Sequence, residues 1–318
     1  MRSVLVVGGA GFIGSNLVRK LLDEGERVVV LDDFSSGLLS NLEGLKCEIV
    51  NVSILEFESI CEYFSESKYV FHLAARGSVP RSISNPQATF NVNTIGAFNV
   101  FEAARKYGIP TLFSSSSSVY GKNDALPKKE SMWTCPLTPY AASKLAGEAL
   151  ASSYYASYGI PIASFRFFNV YGPQQRPEHQ YAAVIPKWIW SAMQGNPIYI
   201  HGDGMQTRDF TYVDDVVNVL IESFKRELGS ISPINLAFGN RISLLEVINE
   251  IREFFPNIEV EFGPVRKGDV RDSQNEPTVL KSLFPKVNTT AFRDGLLHTI
   301  EWLRENEHTI MNSSIKLD

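Results

Sequence analysis

The sequence is short of several things, and each shortage removes a class of protein. It holds three cysteines in 318 residues, Cys47, Cys61 and Cys135. They lack C-x-x-C spacing and cannot all pair, so reduced thiols in a cytoplasmic protein are expected rather than a disulfide framework. Its five histidines (His72, His179, His201, His298 and His308) show no HExxH or paired spacing, and no metal site is expected. No apolar run reaches the ~18 residues of a membrane span. Ser3–Val7 is too short for a secretory h-region and leads directly into glycines. There is no basic excess either: the net charge is −5, which argues against a nucleic-acid partner. Internal repeats and low-complexity linkers are missing too.

What is present is the composition of a globular protein, 44% hydrophobic and 20% charged, long enough for one large α/β domain with an added lobe, or for two domains. Apolar runs and amphipathic stretches alternate through the first half. Strands are expected at Val4–Val7, Arg27–Leu31, Cys47–Val50, Tyr69–Leu73, Thr111–Ser114 and Ile162–Phe168. Helices are expected at Phe12–Asp23, Leu55–Phe64, Thr89–Tyr107 and Tyr140–Tyr158. The run Val28–Val30 has no polar interruption, as in a sheet covered on both faces. Such alternation predicts right-handed crossovers and a parallel sheet. After Asn169, Gly-Pro and Gly-Asp punctuation shortens the elements. Helices are then expected at Ile185–Gln194, Val213–Arg226, Leu244–Phe255 and Phe292–Glu305, with Met311–Asp318 as a frayed tail.

Gly8-Gly9-Ala10-Gly11-Phe12-Ile13-Gly14 follows the first strand and opens the first helix. That context suits a dinucleotide, because the glycines permit a tight turn and the helix N-terminus faces the pyrophosphate. The spacing is GxxGxxG rather than GxGxxG. Asp32 closes the second strand, where a carboxylate bonds a ribose diol and repels a 2′-phosphate, so Asp32-Asp33 favours NAD over NADP. The fold class expected is α/β: a Rossmann-type doubly wound parallel sheet (residues 1–168) with a smaller C-terminal α/β substrate lobe (169–318), some of whose segments return to the first. Farther on, Tyr140 and Lys144 stand four residues apart, on one face of a helix. There the ammonium is expected to favour the phenolate and so create a general base. His72, ending a buried strand, is read as packing or bonding to backbone.

Together, Gly8-x-x-Gly11-x-x-Gly14, His72-Leu73-Ala74-Ala75, Asn93, Ser116, Tyr140-x-x-x-Lys144 and Arg166-Phe167-Phe168-Asn169-Val170-Tyr171-Gly172 resemble the extended short-chain dehydrogenase/reductase superfamily over nearly the whole chain. Within it, Ser78-Val79-Pro80-Arg81-Ser82-Ile83, the stretch Tyr181 to Trp188 (with Val184) and Gly268 to Gln274 are similar to UDP-sugar 4-epimerases of the N-acetylglucosamine and glucuronate branch. The resemblance implies NAD as cofactor. Phe12 and Ile13 would offer backbone N–H groups to the pyrophosphate, and Asp32 would hold the ribose. Asn51-Val52 would edge the adenine, where relatives usually carry Asp. Leu73, Ala74 and Ala75 would line the cofactor channel, with Asn93 and Lys144 at the nicotinamide ribose. Counting back from Val119-Tyr120-Gly121 selects Ser116 from the five serines Ser114–Ser118 as the partner of Tyr140, and turns Ser117 and Ser118 toward the sugar. Arg208 and Arg266 would bind the diphosphate, Asp269 the uridine ribose, and Asn169, Ser78, Arg81 and Val184 the remainder of a UDP-sugar.

The implied activity is C4 epimerisation through a transient 4-keto sugar. The dehydratase relatives carry Asp-Glu where Ser117-Ser118 stand here, which favours epimerisation over elimination. The alternatives are another NAD-dependent nucleotide-sugar enzyme (dehydratase, decarboxylase or reductase) or a non-catalytic nucleotide binder. The resemblance also implies a homodimer through the helices at 89–107 and 140–158.

Overall fold

The computed structural model describes residues 2–177, 183–265 and 271–314. Seven parallel strands form its central sheet, in the order β11-β6-β5-β4-β1-β2-β3. These are β1 (Ser3–Val7), β2 (Val28–Asp32), β3 (Glu48–Asn51), β4 (Ser67–His72), β5 (Thr111–Ser116), β6 (Ile162–Phe167) and β11 (Ile234–Leu236). The remaining strands are short: β7 (Asn169–Tyr171), β8 (Ile198–His201), β9 (Thr207–Arg208), β10 (Phe210–Tyr212), β12 (Ile242–Ser243) and β13 (Val260–Gly263). They pair two by two, as β10 with β7, β12 with β9 and β13 with β8.

Beta-strand alternation explains why the sheet strands look uniformly apolar. Val4 and Val6 of β1 enter one core, and Leu5 and Val7 enter a second core on the opposite face. The second core is roofed by α2 (Phe57–Ser65), α5 (Gly96–Tyr107) and α6 (Pro139–Tyr158). The first lies under α1 (Phe12–Asp23) and α8 (Val213–Lys225), which pack together. Residues far beyond Asn169 thus serve the central sheet, both as α8 on its face and as β11 on its edge. The other helices are α3 (Val79–Ser84), α4 (Pro86–Phe90), α7 (Val184–Met193), α9 (Leu244–Arg252), α10 (Thr278–Leu283), α11 (Phe292–Glu305) and α12 (Glu307–Ser314).

Helix α6 positions the site, and its ends are well specified. Thr138 caps it by accepting from the Ala141 N–H at 3.2 Å, Pro139 occupies the first turn, and Gly159 ends it at φ +69°. In its middle Gly147 lies against Phe113 of β5; a Cβ there would sit 2.4 Å from the ring. This lets the helix approach the sheet closely enough for Lys144 to reach the end of β5.

Two local expectations differ from what is observed. The helix expected over Thr89–Tyr107 starts at Pro86 and contains a wide π-type turn at Asn91–Ile95. Asn93 in that turn is tied to the loop after β4 and to α6, and such insertions commonly mark functional positions. Residues 311–314 of the expected frayed tail belong to α12, and 315–318 lie outside the described residues. Among the described residues no helix is long and apolar enough to cross a membrane, and no cluster of three potential metal ligands occurs.

Candidate active site

A cavity of about 460 Å³ opens along the C-terminal ends of the parallel strands, where ligands bind in sheets of this topology. One end is made of backbone. Gly8 adopts φ +84°, and a Cβ on it would lie 2.5 Å from the Ala74 nitrogen; a Cβ on Gly14 would lie 2.3 Å from the Gly8 carbonyl oxygen. These two glycines press the turn against β4 and seat α1 upon it. Gly11 meets nothing but the Gly8 oxygen, at 3.3 Å, and so shows bare backbone to the cavity. The N-terminus of α1 has no side-chain cap, and Gly11, Phe12 and Ile13 all line the cavity. An uncapped helix start of this kind is an anion site.

Asp32 lines the same end. Its Oδ2 accepts from the Ala10 N–H and its Oδ1 from the Phe34 N–H, both at 2.9 Å. The second bond supports Phe34 in a left-handed conformation (φ 53°), costly for so large a residue. Burial raises the Asp32 pKa from the usual carboxylate range, opposed by the two backbone donors. Each oxygen keeps lone pairs for ribose hydroxyls. Asp33 also faces the cavity and accepts from Ser35. Val52, Leu73, Ala74 and Ala75 complete the wall, whereas Asn51 faces a neighbouring shallow depression with Phe34 and Leu39. A bare anion cradle, a carboxylate one strand away and an apolar channel beyond it fit a dinucleotide.

Asn93 stands elsewhere than the sequence suggested. It is 2% exposed, and Val92 takes the place on the cavity wall. Its amide accepts from the Arg76 N–H (2.7 Å) and donates to the Arg76 carbonyl (3.3 Å) and to Ser143 Oγ (3.0 Å). Ser143 in turn donates to the Tyr140 carbonyl. The residue therefore pins the loop after β4 to the start of α6, and its amide has little capacity left for a ribose.

The other end of the cavity is made of side chains. Ser114, Ser115, Ser116, Tyr140 and Lys144 meet there, beside Ser78, Arg81 and Phe167. The Tyr140 phenol faces the Ser116 side chain, which favours its ionised form. Lys144 Nζ donates to the Ser114 carbonyl at 2.7 Å and lies 5.1 Å above the Phe113 ring. Burial pushes the Tyr140 phenol up, with Ser116 opposing it. The same burial pulls Lys144 down to about 7, opposed by Glu148. Burial thus works against the charged form of each member of the expected ammonium–phenolate pair. Neutral amine with phenol is the proton tautomer of ammonium with phenolate, so the pair as a unit loses one proton near neutral pH.

His72 packs between Phe101 and Phe113, with ring centroids 6.2 and 5.5 Å away. Neither ring nitrogen has a hydrogen-bond partner in the protein, so it packs but does not bond to backbone, and burial lowers its pKa to about 3.

The sugar-facing roles expected of other residues divide. Ser117 and Ser118 lie in a short 3-10 turn and are not on the wall; the Ser118 N–H and hydroxyl both bond Ser116 Oγ, at 3.2 and 2.9 Å. The short chain of the turn leads its polar groups back to the strand end. Asn169 sits in β7 and Val184 opens α7, but their neighbours Phe168, Val170 and Ala183 line the cavity. Arg208 is outside the lining; its Nη1 donates to the Thr207 and Arg271 carbonyls at 2.9 and 3.0 Å. Arg266 and Asp269 lie outside the described residues.

Sequence reasoning missed a buried set behind the site: Glu148, Arg166, Tyr120 and Asn235. The available signal was Arg166, a lone cation in the apolar strand Ile162–Phe167. It also missed Gly37 and Asn41 at the cofactor end, and Gln174–Arg176 elsewhere on the wall; of these Gln174 has φ 70°.

Residues 4–235 match the family described as NAD dependent epimerase/dehydratase. The UDP-glucose 4-epimerase of Mycolicibacterium smegmatis is 37% identical over 94% of this chain and 98% of its own length. The UDP-N-acetyl-alpha-D-glucosaminuronate decarboxylase of Bacillus cytotoxicus is 33% identical over 96% and 98%. Among solved structures, the Thermus thermophilus UDP-glucose 4-epimerase in complex with NAD superposes with a TM-score of 0.86, at 33% identity, covering 95% of this chain and 99% of that one.

Proposed function

The chain belongs to the NAD dependent epimerase/dehydratase family, and we propose that within it this enzyme inverts C4 of a UDP-hexose. NAD is the cofactor, and when bound it supplies an acceptor and donor of hydride at the sugar carbon. The glycine turn and the α1 N-terminus would hold its pyrophosphate and Asp32 its adenosine ribose. What the chain's own side chains do is handle one proton. Tyr140, in the singly deprotonated pair with Lys144, takes the proton of the sugar 4-hydroxyl and later returns it. Ser116 holds the same oxygen and is itself held by Ser118. A single phenol serves both directions, so inversion requires the 4-keto sugar to turn over in the pocket rather than a second base.

One observation favours epimerisation over elimination. Among the described residues the cavity wall carries two carboxyl groups, Asp32 and Asp33, both at the cofactor end. Loss of water needs an acid and a base beside the sugar, and among the described residues no carboxyl group lines that end. For the nucleotide we propose Arg208 and Arg266 as diphosphate ligands and Asp269 as the uridine-ribose ligand, with Ser78 and Arg81 beside the hexose. Phe98 and Tyr158, on α5 and α6, are 43% and 56% exposed, and we propose these helices as the face for a second copy.

The test is incubation of the enzyme with UDP-glucose, UDP-N-acetylglucosamine and UDP-glucuronate in turn, with proton NMR of the products. Inversion at C4 of at least one is expected. Loss of carbon dioxide from UDP-glucuronate without inversion makes it a decarboxylase, loss of water makes it a dehydratase, and either result overturns the proposal.

A further inference from the structure

Tyr140, Lys144 and Glu148 follow one another at intervals of four along α6 and so stack on one face. Each meets a different serine at the end of β5: Tyr140 contacts Ser116, Lys144 contacts Ser114, and Glu148 accepts from the Ser115 hydroxyl. The first two contacts belong to the proton-handling site. Glu148 has no part in that chemistry, yet the serine it holds lies between the other two.

Glu148 and Arg166 are 3% and 4% exposed. Arg166 stands opposite Ser115 in the β5–β6 register and donates to both carboxylate oxygens, Nε to Oε1 at 2.9 Å and Nη2 to Oε2 at 2.8 Å. Its Nη1 donates to the Tyr120 hydroxyl at 2.9 Å, and Tyr120 donates to Asn235 on β11 at 2.7 Å. Asn235 donates to Asn275, whose backbone N–H donates to the buried Asp209, each at 2.9 Å. A continuous buried polar path therefore joins the serine strand to the residue beside Arg208. Buried ion pairs seldom stabilise a fold more than an apolar pair of the same volume does, so stability alone is a poor reason for this one.

We propose that Glu148 is a positioning residue: paired with Arg166, it fixes Ser115, and thereby places the flanking Ser114 and Ser116 for Lys144 and Tyr140. The inference rests on the reading of Tyr140, Lys144 and Ser116 as the proton-handling set. Around Lys144 the ionisable groups are Tyr140 and Glu148 on its own helix, His72 on β4, Arg166 on β6 and Tyr120 after β5. Burial and Lys144 hold the His72 pKa down, and the Glu148 charge sustains the Lys144 ammonium.

The holoenzyme carrying Glu148→Gln keeps the shape and loses the charge. We expect kcat to fall roughly 10–100-fold, as small displacements of reacting groups do, with KM for the UDP-sugar within about twofold. Lys144, followed by NMR through ε-13C-labelled lysine, should titrate at lower pH than in the parent, and Glu148→Asp should recover part of both changes. A folded Glu148→Gln enzyme with unchanged kcat and an unmoved Lys144 titration overturns the proposal. Should that variant fail to fold, Ser115→Ala decides, because it keeps the ion pair and removes its tie to the strand. A loss in kcat of about 3–10-fold, the worth of one hydrogen bond, supports the proposal, and an unchanged kcat overturns it. The lysine titration needs no turnover, so a parent enzyme that inverts no UDP-hexose sinks the proposed reaction while leaving the positioning test standing.

Discussion

The two ends of the cavity are built from different materials. At the cofactor end the wall is mostly main chain: glycines with no room for a Cβ and an uncapped helix start, with the Asp32 carboxylate held by backbone donors. At the sugar end it is side chain on side chain, in a seam where Tyr140, Lys144 and Glu148 engage three consecutive serines. The first end recognises a ligand by leaving space and orienting peptide dipoles. The second controls protons by burying groups that water would otherwise level. Damage should differ accordingly: steric and confined to binding at one end, chemical and confined to turnover at the other.

The sharpest way to break this contrast is Tyr140→Phe. It removes one cavity-facing hydroxyl, and turnover should fall about 10²–10⁴-fold, the usual worth of general acid–base catalysis, while NAD binding measured by calorimetry stays intact. A matching loss of NAD affinity would show that the two ends are not separable. Gly14→Ala is the converse. Its Cβ would lie 2.3 Å from the Gly8 oxygen, and overpacking of about 1–3 kcal/mol should appear as weaker NAD binding and a lower Tm, with kcat approached again at saturating NAD.

Acidity sharpens the chemical end. Burial lowers Lys144 from 10.5 to about 7, so below that pH the Tyr140–Lys144 pair holds its extra proton and cannot accept another. The rate kcat/KM should therefore rise about tenfold per pH unit up to about 7 and then level off. Stability moves in the same sense. A lysine depressed on folding penalises the folded state fully below about pH 7, and the penalty fades as pH rises toward 10.5. The smallest effect belongs to Asp32→Asn, which should reduce the preference for NAD over NADP on the order of tenfold, with kcat unchanged once cofactor is saturating.

The same contrast explains what the sequence made legible. Glycine spacing, an acid at a strand end and a four-residue interval are local patterns. From the glycine turn came the first helix, with both ends correct, and from the alternation of apolar and amphipathic stretches came a parallel sheet, but not the order of its strands. The meeting of Ser116 with Tyr140 came from likeness to a family rather than from spacing, since five adjacent serines are equivalent on paper. Strands of two to four residues such as β9 and β12 carry too little periodicity to be seen alone and exist because a partner pairs with them. Nor does a sequence show that a charge is buried. Arg166 stands out as a lone cation in an apolar strand, but its partner Glu148 reads as an ordinary helix residue until α6 is laid over β5 and β6. Asn93 misled for a related reason: a wide helical turn, invisible in composition, aims its amide at Arg76 and Ser143.

Strand β11 has a consequence for how the molecule is made. It covers the outer edge of β6 along Phe165–Phe167, yet it is reached only after β7 to β10 and α7 and α8 have passed. During synthesis at roughly 5–20 residues per second, six strands wait for several seconds with an unpaired margin, the arrangement most prone to recruit a stray strand. A fragment ended near residue 168 would keep that raw margin permanently and would lack α8 over the opposite face. The nucleotide half of this enzyme is thus not a free-standing module. Its last seam is sewn by the half that follows, which ties the birth of the cofactor site to the arrival of the residues that will face the sugar.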